Sequence, residues 1–143
     1  MEPSDYDDGM ETTTREYRTG DQDVVLDITR DCEDFVAGRG DGLLQLFVPH
    51  ATAGIAVMET GAGSDDDLLA ALADLLPADD RWRHAHGTPG HVRSHVMPAI
   101  VPPHATVPVV GGRMMLGTWQ SVCLVDLNVD NPVRTVRFSF LAG

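Results

Sequence analysis

Residues 64–76 carry the clearest helix signal in the chain, and this signal limits the folds that are open to it. Ser64 is a favoured N-cap residue, the three aspartates after it suit the positive end of a helix dipole, and Pro77 ends the segment. Thr29 is the expected N-cap of a second, shorter helix through about Ala37, which the Gly38-Arg39-Gly40 stretch ends. Three prolines exclude a long helix from residues 95–103. The sequence therefore predicts one main helix, at residues 65–76.

The other periodic segments have the length and alternation of β-strands. They lie at residues 13–19, 23–28, 43–48, 54–58, 105–110, 113–117, 121–127 and 133–141. One main helix among many short strands predicts a single α+β domain with a largely antiparallel sheet. Residues 1–12 are polar and acidic, so we expect a disordered tail there and the domain at residues 13–143.

Composition excludes several classes of protein. The chain has 143 residues, 43% of them hydrophobic, which is enough for a core and too many for disorder. No apolar run approaches the ~18 residues that a membrane span needs, and the acidic N-terminus does not resemble a signal peptide. The two cysteines, Cys32 and Cys123, form no metal or redox motif, and we expect buried thiols. These observations predict a cytoplasmic protein without membrane attachment.

The charges are unusual in kind and in distribution. The net charge is −12 and the ten basic residues are all arginine, which is typical of proteins from concentrated salt or, alternatively, from a GC-rich genome. Residues 1–80 carry 20 of the 22 acids, whereas residues 81–143 carry two acids and six arginines. The overall sign argues against a nucleic-acid partner. The second part of the chain is the place to expect an anion site.

Histidines are concentrated in that same part of the chain. His84, His86, His91, His95 and His104 lie within 21 residues, and His50 lies earlier. Imidazole binds metal ions and transfers protons near neutral pH. His91 and His95 have the i, i+4 spacing that can present two ligands from one helical face, but the glutamate of a His-Glu-x-x-His motif is absent. Spacing alone leaves a metal site and ordinary loop histidines both open.

Several motifs, in order and at matching spacings, resemble the YjbQ family from about residue 14 to the C-terminus. The matching pieces are residues 50–59 (His-Ala-Thr-Ala-Gly-Ile-Ala-Val-Met-Glu), Asp67-Leu68, Trp82-x-His84, Ser94-His95, Thr106-Val107-Pro108-Val109, Gly112-Arg113, Leu116-Gly117-Thr118-Trp119-Gln120, Asp126 and Arg134. The resemblance implies a homotrimer and a secondary thiamine-phosphate synthase activity, which joins a hydroxymethylpyrimidine diphosphate to a thiazole phosphate.

The resemblance also implies a site. His50, His84 and His95 fall on family positions and are expected to converge as ligands of a divalent metal, zinc or magnesium, whereas His86, His91 and His104 are expected outside it. The implied catalytic residues are these three histidines and Glu59. The residues implied to bind a small phosphate substrate are Thr52, Arg113, Trp119, Gln120 and Arg134.

This chain also departs from the family pattern. Ala51 stands in place of a threonine, Met58 and Thr60 in place of asparagines, and Met97 where many relatives carry a lysine. The uncharged thioether of Met97 cannot bind phosphate as the ammonium group of a lysine does, so we expect weak activity at most. Two other functions stay open on the residues alone. One is another metal-assisted activity, such as hydrolysis, and the other is non-enzymatic binding of a small anionic or heteroaromatic ligand.

Overall fold

The structure is a computed structural model that describes residues 9–84, 87–88 and 90–143. Its helices are α1 (Thr29–Val36) and α2 (Ser64–Leu75), and two 3₁₀ turns lie at Val92–His95 and Met97–Ala99. Its strands are β1 (Met10–Arg18), β2 (Val24–Asp27), β3 (Gly42–Phe47), β4 (Ala53–Met58), β5 (His104–Val110), β6 (Arg113–Met114), β7 (Ser121–Asp126) and β8 (Val133–Ala142). The α+β fold with antiparallel strand pairing is confirmed.

The strands form two antiparallel sheets. The larger has the order β1-β8-β3-β5-β6, and the smaller has the order β2-β7-β4. β8 alternates buried and accessible residues, as a strand covered on one face must, whereas β7 is buried over almost its whole length. β7 therefore lies between two apolar layers.

Two hydrophobic clusters account for those layers. The larger joins α1, the inner face of the large sheet and one face of the small sheet, with Phe35 and Phe138 in aromatic contact at 5.7 Å. The smaller packs α2 and the second 3₁₀ turn against the other face of β7, through Leu72, Met97 and Val125. The molecule therefore consists of three successive layers, which are the large sheet, the small sheet and α2.

Three local predictions need correction. β1 begins at Met10, inside the segment expected to be a disordered tail, because it pairs along its whole length with β8. Ser64 is the first residue of α2, and the N-cap is Gly63, whose φ of 96° only glycine adopts readily. Thr29 does not cap α1, since its hydroxyl donates to Asp27 and accepts the backbone N–H of Val122. Within the described residues, no helix is both long and apolar enough to cross a membrane.

Candidate functional site

Three histidines converge beside the small sheet. The potential ligand atoms of His84, His91 and His95 all lie within 4.8 Å of one another. His91 Nε2 and His95 Nε2 are 2.9 Å apart, and the ring centroids of His84 and His95 are 3.9 Å apart. Three imidazoles this close are a potential metal centre.

The first 3₁₀ turn positions two of the three histidines. His91 is the residue before this turn and His95 its last residue. Arg93, between them, pairs with Asp23 and donates to the carbonyl of Leu76 at the end of α2. The hydroxyl of Ser94 donates to the carbonyl of His91. These bonds fix the turn to the ends of neighbouring elements.

Hydrogen bonds assign the proton of neutral His91 to Nδ1. This nitrogen lies 3.0 Å from Asp130 Oδ2 and 3.3 Å from Asn128 Oδ1. The amide orientation of Asn128 is settled because its Oδ1 accepts the backbone N–H of Asp130, at 2.8 Å. Both partners of Nδ1 are therefore acceptors. The lone pair of the ring is left on Nε2, which faces His95.

Asp130 is itself held in place by Thr88. The Thr88 hydroxyl donates to Oδ1 at 2.6 Å, and its backbone N–H donates to Oδ2 at 3.3 Å. The hydrogen bond from the Thr88 hydroxyl lowers the pKa of Asp130 most, and the backbone N–H and His91 lower it further. The carboxylate is thus ionised at neutral pH, as an acceptor for His91 must be.

A buried ion pair supports the other side of this network. Arg134 contacts Asp126 through Nε–Oδ2 at 2.6 Å and Nη2–Oδ1 at 2.9 Å. Arg134 Nη2 also donates to Thr52 Oγ1 at 2.8 Å. Thr52 in turn accepts from Asn128 Nδ2 at 3.2 Å, so one chain of bonds joins the ion pair to His91.

His50 does not join the histidine cluster. Its Nε2 accepts the backbone N–H of Thr135 at 3.0 Å, beside the ion pair of Arg134 and Asp126. Burial, followed by the positive charge of Arg134, lowers the pKa of His50. The predicted grouping is therefore corrected: His91, which we expected outside, stands with His84 and His95. His104 is exposed at the start of β5, outside the cluster, and His86 lies outside the described residues.

Arg134 cannot bind a substrate phosphate as predicted. Its side chain is 1% exposed, and its guanidinium group is already paired with the carboxylate of Asp126. Met97 is likewise wholly buried, packed between α2 and β7, so its side chain is part of the core. Thr52 does face the site, but as an acceptor for Arg134 and Asn128.

Glu59, Trp119 and Gln120 lie at the other end of the small sheet. In the β4–β7 register Ala53 pairs with Asp126 and Met58 with Ser121, so five residue steps, about 17 Å, separate the two ends. Glu59 directly follows Met58, and Gln120 directly precedes Ser121. Within one chain these predicted residues are therefore not brought to the histidines.

The side chains at that far end have environments of their own. Trp119 is 73% exposed. Gln120 Oε1 accepts the backbone N–H of Gly117 at 2.8 Å, which turns the amide back onto its own loop. Arg113 begins β6 at the edge of the large sheet, beside Glu33. The substrate roles predicted for these residues stay predictions.

Asp130 and Asn128 are site residues that no sequence motif singles out. A signal was available, because Asp126 and Asp130 are the two acids among residues 81–143. Both prove to be partners of site residues, Asp126 of Arg134 and Asp130 of His91. The cysteine expectation is confirmed: Cys32 and Cys123 are buried, and burial raises the pKa of each thiol to about 12.

Comparison with known proteins gives a consistent result. A family model described as "UPF0047 protein YjbQ-like" matches residues 13–143. A UPF0047 protein of Mycobacterium bovis is 58% identical over 119 residues, covering 83% of this chain and 92% of the relative. YugU, a UPF0047 protein of Bacillus subtilis, is 32% identical over 121 residues, covering 80% of this chain and 88% of the relative.

Solved structures agree with the fold. A hypothetical protein of Aeropyrum pernix K1 is 32% identical and superposes with a TM-score of 0.84, covering 93% of this chain and 99% of that one. A protein of unknown function from Sulfolobus solfataricus gives a TM-score of 0.86 at 24% identity, covering 94% of this chain and 98% of that one. The second likeness concerns the fold alone.

Proposed function

This chain belongs to the UPF0047 YjbQ-like family, and we propose that it is a zinc-dependent enzyme acting on a small phosphate-bearing substrate. Thiamine-phosphate synthesis, the reaction that the resemblance implies, is the first activity to test. The observation that carries the proposal is the convergence of His84, His91 and His95 within 4.8 Å.

The donor set favours zinc over magnesium. Three imidazole nitrogens suit zinc, whereas magnesium takes oxygen ligands and keeps several of its waters. His91 presents a lone pair on Nε2, as a ligand nitrogen must. Three protein ligands would leave a fourth position for substrate, which is the arrangement of catalytic rather than structural zinc sites. A bound zinc ion would supply positive charge and Lewis acidity beside the substrate phosphate.

We propose that Arg83 binds the substrate phosphate, because Arg134 is buried and already paired with Asp126. Arg83 is exposed and directly precedes His84, so it begins close to the proposed metal centre. A guanidinium can hold phosphate oxygens through two parallel hydrogen bonds. The nearby Arg81 is already paired with Asp79 through several such bonds, which leaves Arg83 as the better candidate of the two.

We also propose that the protein is a homotrimer, as the resemblance implies. The outer face of the large sheet exposes apolar side chains, and a hollow there is lined in part by Met10, Leu43 and Leu141. Exposed apolar surface of this kind is typical of an interface. A second copy would also be needed for Trp119 and Gln120 to serve the histidine site. Light scattering coupled to gel filtration tests this, with three times the 15.4 kDa chain as the expected mass.

The activity test compares metal-loaded and metal-stripped protein. Purified protein would be incubated with hydroxymethylpyrimidine diphosphate and thiazole phosphate, and thiamine phosphate would be measured by oxidation to its fluorescent thiochrome. We expect slow turnover with zinc, loss of turnover after chelation, and loss in the His91→Ala variant. Turnover by stripped protein at the full rate would contradict the proposal. His104→Ala, at an exposed position outside the cluster, is the matched control.

Hydrolysis at the same site is the second candidate. Burial of Arg134 against Asp126 removes one cation that the release of pyrophosphate would call for. Hydrolysis of a phosphate monoester requires fewer cations in the site than the release of pyrophosphate does. Zinc-dependent release of phosphate from p-nitrophenyl phosphate, without thiamine phosphate formation, would favour this candidate. Binding of the thiazole phosphate without either turnover would indicate a ligand-binding protein instead.

A further inference from the structure

We infer that Asp130 is a positioning residue that turns His91 into a metal ligand, an inference that rests on the proposed zinc site. Neither residue falls on a motif that carries the family resemblance. The geometry that supports the inference is the contact of Asp130 Oδ2 with His91 Nδ1, at 3.0 Å, opposite the nitrogen that faces His95.

The contacts of His91 Nδ1 determine which tautomer of the ring is present. A histidine binds a metal through the ring nitrogen that carries no proton, and the other ring nitrogen usually donates to a carboxylate or carbonyl. Here Asp130 and Asn128 both offer oxygen to Nδ1. The two acceptors hold the proton on Nδ1 and leave Nε2 as the ligand atom.

Asp130 is held rigidly by its own hydrogen bonds. Thr88 fixes both oxygens of the Asp130 carboxylate, and the backbone N–H of Asp130 bonds to Asn128 Oδ1. The backbone N–H of Asn128 donates to Asp126 Oδ1 at 2.8 Å. Asp130 is therefore tied to the buried ion pair of the fold, so the orientation that it gives His91 is set before any ion arrives.

The spacing of the two Nε2 atoms is close to the spacing that a zinc ion requires. Two nitrogens on a tetrahedral zinc ion stand about 3.3 Å apart, given Zn–N bonds of roughly 2.0–2.1 Å. The Nε2 atoms of His91 and His95 stand at 2.9 Å. Because His91 Nε2 carries the lone pair, the proton of this hydrogen bond belongs to His95 Nε2. Zinc binding would release that proton, and a separation of a few tenths of an ångström would then make both nitrogens available as ligands.

The experiment measures zinc affinity by competition with a chromophoric chelator. The Asp130→Asn variant keeps the size of the side chain and removes the charge, and Asp80→Asn removes one charge at an exposed position as its control. We expect Asp130→Asn to weaken zinc binding about 10- to 100-fold, the effect of losing an outer partner of a histidine ligand. Asp80→Asn should bind as the wild type does. Equal affinities in the two variants would overturn the inference.

A second measurement separates orientation from a general loss of structure. Nitrogen-15 NMR of the metal-free wild type should show neutral His91 protonated at Nδ1, and Asp130→Asn should show a larger share of the Nε2-protonated form. A wild-type His91 protonated at Nε2, or an unchanged tautomer in the variant, would overturn the positioning role even where affinity falls. Failure of the wild type to bind zinc at all is a different result, because it removes the proposed metal site and the ligand role with it.

Discussion

Arg134 and Asp126 form a two-pronged ion pair in which each side chain is 1% exposed. Thr19 donates to the same carboxylate at 2.7 Å, and Thr52 accepts from Arg134 Nη2. Buried charges are stable only when their hydrogen-bonding capacity is filled in this way. The pair therefore acts as a structural anchor for the end of β7 and for the residues that follow it toward the histidines.

Arg134→Ala should unfold more easily than any surface arginine variant. Removing the guanidinium leaves the Asp126 carboxylate buried without its partner, which costs about 3–5 kcal/mol of unfolding free energy. Arg137→Ala is the control, because Arg137 is exposed and donates to Thr12, and it should cost less than about 1 kcal/mol. Urea titration measures both. Equal stability of the two variants would show that the ion pair contributes little.

Metal retention should distinguish His91 from His50. Elemental analysis after zinc loading and desalting should give one zinc per wild-type chain. His91→Ala should lose most of it, because a ligand atom is gone, whereas His50→Ala should retain it, since His50 bonds to the backbone of Thr135 instead. The opposite pattern would restore the grouping that the family resemblance implied and would contradict the geometry of the cluster.

The fold could be predicted from local patterns, because each element has its own periodicity. The alternation in β8 and the apolar run of β7 reflect one-sided and two-sided burial, which sequence records directly. Helix starts were less accurate. Ser64 has the residue type of an N-cap, but the chain turns one residue earlier, at Gly63, because glycine tolerates the left-handed backbone there.

The site was harder to predict, because it depends on contacts between distant residues. His91 falls on no family motif, so the resemblance predicts it outside the site, yet the turn at Val92–His95 brings it next to His95. The resemblance predicts Glu59 and Trp119 in the site, yet the register of β4 on β7 puts their strand ends at the far end of the small sheet. The presence of a residue in a family motif does not indicate at which end of a strand it lies.

The pH dependence of stability should carry a contribution from His50. Burial and Arg134 lower its pKa in the folded protein below the unfolded value of 6.5. As the pH falls through 6.5 the unfolded chain binds a proton that the folded chain does not, so the free energy of unfolding decreases. His50→Gln keeps an acceptor for Thr135 and removes this proton. Urea melts of metal-free protein from pH 7 to pH 5 should show a shallower decline in the variant, and identical slopes would contradict the assignment.

Phosphate affinity should depend on Arg83 and not on a remote arginine. Arg83 adjoins His84, whereas Arg30 is an exposed residue of α1, so Arg83→Ala and Arg30→Ala change the net charge equally. Loss of a charge-assisted contact should weaken binding of a thiazole phosphate by roughly 1.5–3 kcal/mol, about ten- to hundredfold. Titration calorimetry at fixed high salt measures this. A similar loss in both variants would indicate a general charge effect rather than a contact.

Salt should stabilise the fold. With a net charge of −12, no lysine and 20 acids within residues 1–80, repulsion among surface carboxylates opposes folding at low ionic strength. At molar salt the Debye length is about 3 Å, which removes most of that repulsion but leaves the buried pair of Arg134 and Asp126 nearly unscreened. We therefore expect thermal melts in molar potassium chloride to give a higher midpoint than melts at low salt. Arg134→Ala should remain destabilised in both. A midpoint that stays flat or falls with added salt would remove the inference of a high-salt origin, and a variant rescued by salt would show that the ion pair is not shielded from solvent.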